Sequence, residues 1–155
     1  MNNRRTLHDY SLLMIFVAVL DAFTFVGTVV SGFFDGTISK ALDTVEPDML
    51  GAVKIALVIV GVLMIVLALS DAFIGLKGLK VSREPNADKG YIVAAKVFLV
   101  INIFAAVSAA FALTDKNTFM VDGLLRLACA VADVIVYICF IKAAMAVRQD
   151  AIEKV

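Results

Sequence analysis

A chain of 155 residues that is 62% hydrophobic and 18% charged, with mean hydropathy +0.97, exceeds the apolar share of a soluble domain and predicts an all-α integral membrane protein. Its 14 basic and 14 acidic residues cancel and are dispersed along the chain, which argues against a nucleic-acid surface. The two cysteines, Cys129 and Cys139, fall on one expected helix about 15 Å of rise apart, too far for a mutual disulfide, and read as buried free thiols.

Met1 to Asp9 is a polar head carrying Arg4 and Arg5, and Tyr10 opens an apolar run that continues to Phe34. No small-residue cleavage pattern closes this run, so it is expected to be a retained first span over 10–34 and not a secretory signal. Asp35 to Leu50 is an acidic connection in which Asp35, Asp43, Glu46 and Asp48 face Lys40 alone. Within it, Ile38 to Val45 is expected to form a turn or two of surface helix stopped by Pro47. The second span is placed at 51–76 and followed by a basic loop from Lys77 to Lys89; the third covers 91–113. A tight polar turn, Thr114 to Thr118, leads to the fourth span at 120–146 and a charged tail. Each run supplies about twenty or more mostly apolar residues, enough to cross roughly 30 Å of hydrocarbon. The expectation is a single domain of four transmembrane helices in a bundle with short loops.

Lys and Arg in short loops are retained on the cytoplasmic side. The two ends and the middle loop hold Arg4, Arg5, Lys77, Lys80, Arg83, Lys89, Lys142, Arg148 and Lys154, against Lys40 and Lys116 in the other loops. Both termini are therefore expected in the cytoplasm, and the size and short loops suggest a bacterial plasma membrane. A faint internal repeat aligns Asp21 to Gly27 with Asn102 to Ser108, and Asp71 and Lys80 with Asp133 and Lys142. A parallel repeat would relate the two helix pairs by an axis along the membrane normal; chance likeness between apolar helices explains the same words.

The fourth span carries the most unusual pattern. Asp122, Arg126, Ala130, Asp133 and Tyr137, at steps of four, four, three and four, form one stripe on an otherwise apolar helix. A charged group near the bilayer centre costs a few kcal/mol, so this stripe must face protein or water. With each apolar run centred, Asp21 of the first span and Asn102 of the third reach the same depth as Asp133, and Thr24 and Thr28 continue the Asp21 face outward. These residues form the candidate site: Asp21 and Asp133 to bind a proton or small cation, Asn102, Thr24, Thr28 and Tyr137 as neutral hydrogen-bonding groups, and Arg126 as the modulating base. The plainer reading makes the same groups interhelical contacts, worth about a kcal/mol or less each. Asp71 and Lys96 read as a structural ion pair, since their expected depths match and their charges cancel. Small residues at Ala105, Ala109 and Ala112, and at Gly27 and Ser31, mark expected seams between helices or between copies.

The sequence contains none of the H-E-x-x-H, G-x-S-x-G, C-x-x-C, G-x-G-x-x-G or Walker patterns, and the lone His8 sits in the polar head. No catalytic residue, metal ligand set or cofactor is expected, and the chain does not read as an enzyme. Four helices with an acid in the first are similar in outline to the small multidrug exporters, but those are shorter and share no further motif, so no residue role carries over. The function expected is transport linked to a cation or proton, or a channel-like subunit, in the lipid bilayer as a homo-oligomer or with a larger membrane partner. The alternative is a non-conducting accessory or scaffold subunit, and an intramembrane enzyme ranks third.

Overall fold

The computed structural model describes residues 3–34, 36–85, 89–113 and 120–153. They form α1 (Asn3–Phe34), α2 (Thr37–Asp43), α3 (Pro47–Arg83), α4 (Gly90–Ala112) and α5 (Met120–Ile152), with no strand among the described residues. Four of these helices, α1, α3, α4 and α5, are long and apolar enough to cross a membrane. The turn expected at Thr114 to Thr118 lies outside the described residues.

The helices outrun the apolar stretches that predict them. The polar head is helical from Asn3, the expected basic loop is helical through Arg83, and the charged tail is helical through Ile152. An apolar run measures what hydrocarbon can hold, whereas the helix continues wherever one face finds packing. Leu7 anchors the head, Gly78, Val81 and Ser82 continue the buried face of α3, and Ala143, Ala144 and Val147 continue that of α5. Pro85 then disfavours helical geometry at Glu84 and ends α3. Pro47 also plays a different part from the one expected. The short helix ends by Thr44, and Pro47 opens α3, where its fixed φ and missing N–H cost nothing.

Two compact units divide the chain, residues 1–15 with 73–155, and residues 16–72. In the second of these, Gly36 takes the left-handed conformation, φ 71°, that turns the chain out of α1 and into α2, where its carbonyl accepts from the Lys40 N–H at 2.9 Å. The Ile38 side chain packs on α1 so closely that a Cβ at Gly32 would stand 2.9 Å from it. Further along, the Phe25 ring is in van der Waals reach of the Cβ position of Gly61, which brings α1 and α3 together within this unit.

The first unit holds the core. Leu7 and Met14 of α1, Ile74 and Val81 of α3, Tyr91, Ile92 and Ala95 of α4, and Tyr137, Phe140, Ile141, Ala144 and Val147 of α5 are buried together. Phe140, fully buried, sits at the centre, edge-on to Tyr91 with ring centroids 6.1 Å apart and planes at 82°. Glycine makes the crossing of α1 and α3 possible: a Cβ at Gly75 would meet Ile15 at 2.7 Å and the Ser11 carbonyl at 3.0 Å. Ser11 satisfies its buried hydroxyl by donating to the Leu7 carbonyl at 2.6 Å. The first turn of α1 lies beside the last turns of α5, where Asn3 Nδ2 donates to Asp150 Oδ2 at 3.0 Å.

Candidate functional site

The α5 stripe runs from exposure into the core. Arg126 is exposed, Ala130 and Asp133 are half-buried, and Tyr137 is 4% exposed among the core residues. The side chain of Asp122 lies outside the described residues. Each step of three or four residues returns to the same face, so Asp133 stands one turn beyond Tyr137 on the face that Phe140, Ile141 and Ala144 bury. It is the first ionisable position past the close-packed region of the helix.

On α4 the same face passes from Tyr91 and Ala95 to Asn102, which is half-buried. The two helices run antiparallel side by side, and the Tyr91–Phe140 ring contact fixes their register. From that contact, Asn102 lies about 16 Å along α4 and Asp133 about 10 Å along α5, which puts the two within about one helical turn of each other in height. The Asn102 amide donates to the Phe98 carbonyl of its own helix at 3.0 Å. That bond employs one of its two N–H groups, and the side-chain carbonyl remains as an acceptor.

Of the expected site residues on α1, Asp21 is exposed, and Thr24, also exposed, donates to the Leu20 carbonyl at 2.9 Å. The side chain of Thr28 lies outside the described residues. These three belong to the 16–72 unit, whereas Asn102, Arg126, Asp133 and Tyr137 belong to the other. The expected pair Asp71 and Lys96 divides the same way, Asp71 half-buried on α3 and Lys96 exposed on α4. Among the described residues, no three His, Cys, Asp or Glu side chains gather where a metal ion could be held.

Past Asn102 and Asp133 the α4–α5 pair opens into an apolar groove of about 290 Å³, lined by Ile103, Ala106, Val107 and Ala110 and by Leu127, Val131, Val134 and Ile135. Among the described residues the tightest approaches at glycine are at Gly78 and Gly75, whereas a Cβ at the expected seam position Gly27 would meet nothing within 4 Å of the same chain, and Ala105 is exposed. Gly75 and Gly78, with Ser11 and Ser82, form the tight seam at the basic end. Their spacing, Gly75, Gly78 and Ser82 at steps of three and four, was the available signal, masked by the lysines between them. Compared with protein families, curated proteins and solved structures, the chain matches none.

Proposed function

We propose that the chain is an integral membrane protein whose four long helices cross the bilayer as a bundle with both ends cytoplasmic, and that it moves a proton or small cation by way of Asp133. The observation that carries this reading is the position of Asp133: half-buried, one turn past the packed core, in line with Tyr137 and within about a turn of Asn102 in height. A carboxylate there has an acceptor for a cation or proton, and the Asn102 carbonyl and Tyr137 hydroxyl are neutral groups able to share the load. Arg126, two turns further along the same face, sets the local charge. The Asn3–Asp150 hydrogen bond supports placing both ends on one side, and the nine basic residues of the ends and middle loop support the cytoplasmic side. Asp21 is an acid on an exposed helix face, costly against lipid, and this favours a second copy or a membrane partner to cover it.

The test is flux into liposomes holding a pH dye, with several cations outside. Asp133→Asn is expected to abolish flux while leaving expression and oligomeric size unchanged. A second reading, an accessory or scaffold subunit, is favoured by the Asn102 bond to its own helix, which uses a polar group with no ligand involved. In that case monodisperse wild-type protein shows no flux, and Asp133→Asn alters retention of a co-purifying partner instead.

A further inference from the structure

The face of α3 turned away from the core carries a second feature. Its buried side is Ile74, Gly75, Gly78, Val81 and Ser82. On the other side Leu76, Leu79, Lys80, Arg83 and Glu84 line a groove of about 280 Å³. Steps of three, one, three and one keep all five residues on one helical face. The face continues in the other direction to Phe73, 55% exposed, and Leu76 is 56% exposed, so an apolar strip leads into a pair of cations over about 15 Å of helix. Lys77 lies beside the strip with its ammonium 5.6 Å from the centre of the Phe73 ring. Lys80 and Arg83 are exposed, and neither forms an ion pair among the described residues.

We infer that this groove binds the phosphodiester headgroup of an anionic phospholipid, with an acyl chain along Phe73 and Leu76. The inference rests on the membrane-crossing reading above, under which Phe73 and Leu76 stand in hydrocarbon and Lys80 and Arg83 at headgroup level. The arrangement matches such a lipid in both parts. The acyl chain packs along Phe73 and Leu76 by van der Waals contact within the hydrocarbon, and the phosphate receives a point charge from Lys80 and a planar fork of donors from Arg83. Glu84 at the far edge of the groove accepts hydrogen bonds only, which favours a headgroup bearing hydroxyls over a bare phosphate monoester. The groove sets its cations beside exposed Leu76 and half-buried Leu79, whereas Arg4 and Arg5 lie on the polar first turn of α1.

The experiment reconstitutes the full chain into vesicles of phosphatidylcholine containing a minority of phosphatidylglycerol, extracts it gently, and measures the ratio of the two lipids retained against the bulk ratio. Resistance of the protein to alkaline extraction from the same vesicles reports membrane insertion separately. Wild-type protein is expected to retain phosphatidylglycerol in excess. K80Q with R83Q is expected to reduce the excess by about fivefold for each cation removed, the change that corresponds to about 1 kcal/mol for a basic residue near an anionic surface. R4Q with R5Q removes the same charge and is expected to leave the excess intact. Equal losses in both double variants would reduce the effect to diffuse charge and overturn the groove assignment, as would inserted wild-type protein without enrichment. Loss of the excess on adding inorganic phosphate, at matched ionic strength, would show that the groove takes free phosphate and overturn the lipid assignment. Protein that fails to resist alkaline extraction would instead overturn the membrane-crossing reading.

Discussion

Gly78→Ala tests the packing on which the first unit depends. A methyl group at Gly78 would stand 2.5 Å from Ser11 Oγ, 2.5 Å from Phe140 Cε2 and 2.8 Å from Phe140 Cζ, distances that carbon contacts do not tolerate. Neither neighbour can yield cheaply. Ser11 is fully buried and its hydroxyl donates to the Leu7 carbonyl, and Phe140 is fully buried against Tyr91. Overpacking of this kind costs about 1–3 kcal/mol. Alanine also recovers up to about 1 kcal/mol of helix propensity relative to glycine. The net expectation is a loss of about 1–2 kcal/mol, read as a lower thermal transition in detergent. With exposed Cys129 blocked beforehand, half-buried Cys139 provides the signal, since a thiol-reactive dye reaches it on unfolding. Gly27→Ala is the control, because its Cβ meets nothing within 4 Å among the described residues and only the propensity gain applies. If Gly78→Ala melted at or above the Gly27→Ala temperature, the close crossing of α1, α3 and α5 would be refuted. Combining it with Phe140→Leu is expected to recover part of the loss, giving a coupling between the two sites that unrelated positions lack.

Phe140→Ala empties the centre of the core and is expected to destabilise by about 3–5 kcal/mol, measured as a shift in the denaturant midpoint in mixed micelles. Gly36→Ala places a Cβ in the left-handed region at φ 71°, a cost of about 1–2 kcal/mol confined to the α1–α2 turn; amide exchange is expected to quicken in α2 and remain unchanged in α5. Exposed Cys129 is expected to react with a small membrane-permeant thiol reagent before half-buried Cys139 in the folded protein, with mass spectrometry of the two peptides as the check.

The four long helices were legible in the sequence because each apolar run is long enough to leave no alternative. Their ends were not, because an apolar run records where hydrocarbon suits the chain and says little about where hydrogen bonding stops. Lys77 to Arg83 looks like a loop by charge, yet its small and apolar residues at Gly78, Val81 and Ser82 share one buried face. Pro47 is ambiguous in a sequence, since the ring that stops one helix is equally suited to open the next. The polar stripe on α5 was legible by spacing, and its gradient from exposed Arg126 to buried Tyr137 follows that spacing. Where the core lies was not legible. Glycine and serine have no hydropathy that announces a crossing, and only the helix approaching from α1 gives Gly75 and Gly78 their meaning.

The core and the polar positions are separate along α4 and α5, and this separation decides what mutations at the polar positions can mean. Among the described residues the buried serines, Ser11 and Ser82, both donate to backbone carbonyls within their own helices, and no charged side chain is buried in this core. A carboxylate among Phe140, Tyr91 and Leu7 would have to be neutralised or paired at a cost of several kcal/mol. One turn beyond Tyr137, Asp133 is half-buried, at the edge of the packed region and not within it. Asp133→Asn, which preserves size and one of the two acceptor oxygens, is therefore expected to cost less than the about 1–2 kcal/mol of Gly78→Ala. Loss of flux in a variant of unchanged stability would then report on the carboxylate itself. If Asp133→Asn lowered the thermal transition as far as Gly78→Ala, the acid would be part of the scaffold, and the case for transport through it would fail.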